Sequence, residues 1–310
     1  MIKKAIGLVC VLAVPVLHAE LSFEKSENRI RVNADGKLFT EFVYNTYAKP
    51  LFWPVVGPTG DEMTRNYPMK KGVDGEASDH PHHKSLLFHH GMISGENFWH
   101  EDGDKTGKVI TEIDNVVLKQ GKVIISSSNK WVGRKDKLVA TDRSIHTIHI
   151  DGKGNRYIDF EVTMSPVGDD LVFGDTKEGS FAIRSHPELR LRGEVATAKA
   201  VNSAGDEGKS LWGKKAAWVN YFGTVNGKAC GFAIFDHPDN LRYPTTWHAR
   251  DYGLVAANPF GLSYFQKSGK GSGNHTIKSG DTITFKYRVV FHEGDHDAAN
   301  IPGLFKDWAL

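Results

Sequence analysis

The chain has only two cysteines in 310 residues, and one of them, Cys10, lies in an apolar N-terminal stretch. Loss of that stretch would leave Cys230 alone, with no partner for an intramolecular disulfide and no CxxC metal knuckle. Charge of one sign is missing as well: 39 basic residues face 37 acidic ones, a formal charge of +2. Such a chain has no global field with which to hold nucleic acid or an anionic membrane. No apolar run reaches the ~18 residues of a membrane helix, so no membrane span is expected. The phosphate-cradling patterns GxGxxG and GxxxxGKS/T and the nucleophile elbow GxSxG are absent, which disfavours nucleotide cofactors and serine acyl chemistry. Cys230 sits in an apolar run with nothing to acidify it, so thiol catalysis is disfavoured too. No cofactor is expected.

The N-terminus reads as an export signal. Lys3 and Lys4 supply a positive start, Ile6 to Leu17 an apolar stretch, and Leu17-His18-Ala19 a small-residue exit. We expect a signal peptide over 1–19, one domain over 20–310, and a periplasmic or secreted product. Val9 before Cys10 stands where a lipoprotein signal needs Gly or Ala, which argues against lipid anchoring. Without Lys3 and Lys4 the basic residues equal the 37 acidic ones.

What is present is alternation. Arg29 to Val32 and Leu38 to Val43 flank a turn at Asp35-Gly36; Lys108 to Leu118 and Val123 to Ser128 follow. Ser144 to Ile150 returns through Tyr157 to Met164, and Trp218 to Phe222, Gly231 to Phe235 and Thr282 to Phe291 read alike. Long amphipathic helical patterns are lacking; Gly303 to Ala309 could make a late helical turn. Short strands with Gly, Asn and Asp turns predict an all-β fold, one large antiparallel β-sandwich.

Four polar stretches interrupt the alternation: 67–102, 176–192, 236–242 and 246–261. The first holds His80, His82, His83, His89, His90 and His100, six of the chain's 15 histidines. Imidazole exchanges protons near neutral pH and binds metals. Read as one strand, 83–90 would place His83 and His89 on one face and Lys84 and His90 on the other. His90 precedes Gly91, whose missing side chain would admit a ligand, so His90 is assigned to the site and His89 to the scaffold. No HExxH or other fixed ligand spacing occurs, so no tightly bound metal is expected. Lys177, Glu178 and Arg184 offer either a surface ion pair or cations for a carboxylate or hydroxyl-rich ligand. Asp236, His237 and Arg242 exceed what a proline turn requires. Trp247 to Gly253, read as a strand, puts His248, Arg250 and Tyr252 on one face, a floor suited to a polyhydroxylated ligand.

These segments resemble a family of exported bacterial proteins labelled methane oxygenase PmoA-like, of uncertain function. The resemblance rests on Asp79-His-Pro-His-His-Lys84, His90-Gly91, Phe98-Trp99, Lys177-Glu-Gly179, Ala182-Ile-Arg184, Phe235-Asp-His-Pro-Asp-Asn240, and Trp247-His-Ala-Arg-Asp-Tyr-Gly253 leading into Asn258-Pro-Phe-Gly261. It spans most of 35–300, with Lys84-Ser85 where the family often has Arg-Gly. It implies a galactose-mutarotase-like supersandwich in the company of sugar-degrading systems, and supplies no catalytic residues.

The reading is therefore an exported carbohydrate-active protein acting by general acid-base chemistry: epimerisation, elimination or glycoside hydrolysis. His83, His90, Glu101, His248 and Asp251 are the expected catalytic groups. His80, His82, Lys84, Trp99, His100, Lys177, Glu178, Arg184, Asp236, His237, Arg242, Arg250 and Tyr252 are expected to bind a small-molecule or oligosaccharide ligand. All are expected around one pocket. The sequence also admits a non-catalytic glycan-binding protein or a His-cluster metal-dependent hydrolase or oxidoreductase. It leaves the oligomeric state open.

Overall fold

The computed structural model describes residues 19–310; the expected signal peptide, apart from Ala19, lies outside the described residues, and Cys10 with it. In chain order the strands begin with β1 (Leu21–Ser26), β2 (Arg29–Ala34), β3 (Lys37–Val43), β4 (Leu51–Val55), β5 (Leu86–His90) and β6 (Lys108–Lys119). There follow β7 (Lys122–Val132), β8 (Leu138–Ile150), β9 (Arg156–Pro166), β10 (Leu171–Phe173), β11 (Gly179–Arg184) and β12 (Lys199–Asn202). The last are β13 (Trp218–Val225), β14 (Lys228–Asp236), β15 (Trp247–Ala249), β16 (Leu254–Ala257), β17 (His275–Ile277) and β18 (Ile283–Glu293). The β2–β3 hairpin turns where expected, with Asp35 and Gly36 both at positive φ, the backbone a two-residue hairpin requires.

Two eight-stranded antiparallel sheets form, ordered β1-β2-β3-β4-β5-β11-β16-β15 and β12-β13-β14-β18-β9-β8-β7-β6. The protein is all-β. The sheets face each other across aromatic pairs, Phe52 on Phe160 at 5.4 Å, Phe88 on Phe285 at 5.4 Å and Phe181 on Tyr287 at 4.7 Å. Each such fully buried ring contributes roughly 1.5–3 kcal/mol through burial. Helix α1 (Leu262–Phe265) follows β16, and α2 (His296–Ala299) and α3 (Ile301–Ala309) end the chain. Ile301, Phe305 and Trp308 cover the outer face of the second sheet over Trp218, Phe235 and Val290. No helix among the described residues is long and apolar enough to cross a membrane.

Alternation decides which side chains reach the outer face of the first sheet. Leu86, Phe88, Phe181 and Ile183 point into the core, so Leu87 and Ala182 between them point outward. Two sequence expectations fail locally. β5 begins only at Leu86, so His83, Lys84 and Ser85 precede the strand rather than extend its two faces. β15 stops at Ala249, and Arg250 to Gly253 is a turn closed by the Gly253 amide donating to the Arg250 carbonyl at 3.1 Å. His248, Arg250 and Tyr252 thus do not share a strand face.

Candidate functional site

Strand pairing draws a row across this outer face. Leu87 opposes Ala182, Ala182 opposes Ala256, and Ala256 opposes His248. Arg184 opposes Leu254 one step along. Small side chains in mid-row leave a shallow floor, with Arg184 standing on it and His248 on the edge strand, two strands or about 10 Å away.

Residues 77–85 fold back over this floor because Arg65 gathers their carbonyls. Its Nη1 donates to the carbonyls of Ala77 (3.1 Å) and Asp79 (2.9 Å), and its Nη2 to those of His80 (2.9 Å) and His83 (3.1 Å). The Asp79 carboxylate then takes three donors. Oδ1 accepts from Arg65 Nη1 at 2.7 Å and Arg184 Nη2 at 2.9 Å, and Oδ2 faces His80 Nδ1 at 3.0 Å. This fixes the proton of His80 on Nδ1 and leaves the Nε2 lone pair free. Asp79 is 41% and His80 43% exposed, so a ligand reaches both. The His80 ring lies parallel to His83 at 4.8 Å and to Tyr252 at 5.4 Å. Tyr252 in turn carries the guanidinium of Arg184 at 4.6 Å and that of Arg250 at 5.3 Å.

Beside this group lies a second. Lys84 and Lys49 are buried, Lys84 donates to Glu101 Oε2, Lys49 Nζ stands 3.5 Å from Glu101 Oε1, and Lys49 also donates to the Trp99 carbonyl. The Asn97 side-chain oxygen accepts from the amides of Trp99 and His100, so its amide nitrogen donates to His100 Nδ1 at 2.9 Å. The proton of His100 therefore sits on Nε2. His82 packs against His100 at 4.3 Å and against His83 at 4.4 Å. Glu101 and Tyr47 also border an open groove of about 960 Å³ between Asn45 and Asp136.

The electrostatics follow from burial and from these cations. His82 falls to about 3 through burial and then the neighbouring His100 and Lys49, and His83 is driven well below the usual imidazole value by burial and His82. Both rings are neutral at pH 7. Burial acts to raise Asp79, but Arg184, His80 and Arg65 prevail and hold it below the usual carboxylate range. Burial lowers Lys49 to about 8 against the pull of Glu101.

The structure thus brings together His80, His82, His83, Lys84, Trp99, His100, Glu101, Arg184, Arg250 and Tyr252. It does not bring His90. The alternation that sends Leu87 outward sends His90 into the core, where Nε2 meets the Gly174 carbonyl at 2.8 Å and Nδ1 meets Ser180 Oγ at 3.1 Å. Gly179 opposite has no side chain, and a Cβ there would collide with this ring. Gly91 makes room for Glu178, whose Cβ would lie 2.7 Å from an added methyl, and not for a ligand. His89, assigned to the scaffold, is buried against Trp131 with both nitrogens unpartnered.

Other expected residues also serve elsewhere. His248 shares the outer face, but its Nδ1 is tied to the Lys177 carbonyl at 2.9 Å. Lys177 and Glu178 form the plain ion pair, at 2.9 Å. Asp251 faces Arg192 and Lys209 at 3.4 Å each. Arg242 caps the carbonyls of Pro259, Gly273 and Asn274. Asp236 ends β14 in the other sheet, where it accepts from Asn240 and the Thr245 amide; His237 there accepts from the Asp239 amide and meets Trp308. The single pocket joining 236–242 to the histidines is not formed, because β14 belongs to the opposite sheet.

Sequence reasoning passed over Asp79, Arg65, Lys49 and Tyr47 as site residues. Arg65 and Lys49 lie outside the polar stretch that begins at residue 67, so nothing in their local pattern set them apart. Asp79 was legible, as the carboxylate immediately before the first histidine.

The family model described as "Family of unknown function (DUF6807)" matches residues 29–306. No curated protein matches the sequence. Among solved structures, the GalM/aldose epimerase homologue from C. elegans is 7% identical at a TM-score of 0.37, over 89% of this chain and 100% of that one. Galactose 1-epimerase from Lactobacillus acidophilus NCFM is 8% identical at a TM-score of 0.38, over 89% and 100%.

Proposed function

We propose, for a chain that belongs to the family of unknown function DUF6807, an exported carbohydrate-active enzyme that works by proton transfer on the outer face of the first sheet. The observation that carries this reading is the Asp79–His80 pair: a carboxylate held ionised by two arginines, and an imidazole whose free lone pair points away from it at a solvent-reachable position. In the proposed step His80 Nε2 takes a proton from a sugar hydroxyl or an acidified C–H, and Asp79 stabilises the imidazolium that results. His100, with its proton on Nε2, is the donor on the other side of His82. Arg184 and Arg250, carried on the Tyr252 ring, hold the ligand. The kinship with exported PmoA-like proteins belongs to the same proposal, as does the 1–19 signal.

Turnover of a panel of sugars and sugar acids, followed by proton NMR, tests this. His80→Asn and Asp79→Asn are expected to lower kcat by ~10²–10⁴-fold with a smaller change in KM, the signature of lost proton transfer. Full activity of His80→Asn contradicts the assignment. Binding without turnover by the unaltered protein supports a glycan-binding role instead.

A further inference from the structure

The buried polar atoms of this face are unevenly matched. Arg65 Nε, His83 Nε2, Trp99 Nε1 and Arg184 Nε are all buried without a hydrogen-bond partner. His83 Nδ1 faces Arg184 Nη1 at 3.4 Å and accepts from it, so His83 carries its proton on Nε2. All four orphans are therefore N–H donors. Two acceptors on the face are also orphaned: Glu101 Oε1, which already faces Lys49, and His248 Nε2, away on the edge strand, whose ring donates through Nδ1 to the Lys177 carbonyl.

Charge is uneven in the same sense. Lys49, Arg65, Lys84 and Arg184 are buried, and the carboxylates paired with them are Asp79 and Glu101. Arg190 and Arg250 lie close by and add to the excess. Glu76, held by the amides of Asn66 and Tyr67 at 2.7 Å each, offsets part of the excess through Arg65 and Arg190, while Glu178 is matched by Lys177. Six cations against Asp79, Glu101 and Glu76 still leave the face positive. Unmatched buried charge is costly, and an anion at the donors would offset that cost.

We infer that the ligand of this face carries a carboxylate, so that the substrate class is a sugar acid rather than a neutral sugar; this rests on the reading of the face as the ligand site. Guanidinium groups serve carboxylate and phosphate alike, so the choice rests on space and on the absence of a glycine-rich loop or helix N-terminus to wrap a tetrahedral anion. His82, His83, Lys84, Trp99 and Arg184 line one cleft over Leu87 and Ala182, and that cleft has no free volume in this structure. A flat carboxylate entering between Trp99 and the imidazoles displaces less than a phosphate does.

Isothermal titration of the chain over residues 20–310 at pH 7 tests the inference, with glucuronate, galacturonate, glucose, galactose, glucose 6-phosphate and malonate as probes. A uronate is expected to bind at least ~10-fold more tightly than its neutral counterpart, and to weaken by a similar factor at raised salt. Arg184→Gln is expected to abolish that preference. Arg250→Gln, at a residue only partly buried, provides the same reading should Arg184→Gln fail to fold, and a melting curve identifies that failure. Equal or tighter binding of glucose or galactose overturns the carboxylate inference and leaves the sugar site standing. Tighter binding of glucose 6-phosphate also overturns it. Malonate binding as tightly as either uronate upholds the carboxylate and overturns the sugar reading. Silence from every probe overturns both.

Discussion

His89 and His90 are neighbours with opposite physical situations. His90 has both ring nitrogens engaged and lies between Phe173 and Phe260, with burial lowering it to about 4. His90→Ala removes partners from Ser180 and Gly174 in a closed interior and is expected to cost roughly 1–3 kcal/mol in urea unfolding. His89 has neither nitrogen engaged. An apolar replacement there removes unmet polar atoms, so His89→Leu is expected to leave stability unchanged or raise it. The reverse order of the two variants would contradict this placement. Cys230 is fully buried and its thiol is pushed up to about 11, chiefly by burial. A thiol reagent such as Ellman's is expected to leave it unmodified in the native protein and to react in urea; fast labelling of the native state would contradict this.

At the scale of strands, β8 shows where pattern reading stops. Its inward residues are Ala140, Asp142, Ser144, His146 and Ile148, while Ile145 faces solvent at 41% exposed. Asp142 accepts from Trp131 Nε1 at 2.6 Å, Asn129 at 2.7 Å and Ser144 at 2.6 Å, so the neighbouring strand satisfies it. Asp142→Ala strands those three donors and is expected to cost about 3 kcal/mol. A loss below about 0.5 kcal/mol, the range of an ordinary surface change, would contradict the buried network. Strand positions were legible because alternation and turns are local. The inward polar row was not, since it depends on Asn129 and Trp131 arriving from β7. The candidate site divides the same way. The histidine segment announced itself, whereas Arg65 and Lys49 join it only through long-range folding. The missed break after Ala249 has a local cause, the Gly253 turn at φ +91°.

Across the whole molecule, buried imidazoles set the response to acid. Burial is the largest cause of lowering for each of six of them. It holds His83 and His89 well below the usual value, His90, His248 and His292 at about 4, and His146 at about 3. Below about pH 6.5 the unfolded chain binds protons that the folded one refuses, so each ring withdraws up to about 1.4 kcal/mol per pH unit until its folded value is reached. Asp236 and Asp142 act oppositely. Burial raises both, Asp236 to about 7, so their folded forms gain relative stability as pH falls towards 3.8. Six rings outweigh two carboxyls, and the urea midpoint is expected to fall from pH 7 to pH 5; a flat or rising midpoint would contradict this. Imidazole NMR shows whether ligands meet the outer face of the first sheet at Asp79 and His80. The chain over residues 20–310, labelled with ¹⁵N-histidine, is titrated with glucuronate and with glucose, each ring being assigned by substitution. Either sugar is expected to shift His80, His82, His83 and His100 while His90, His146 and His292 stay fixed. Shifts confined to His237 and His275, or none in the His80 group, would contradict it.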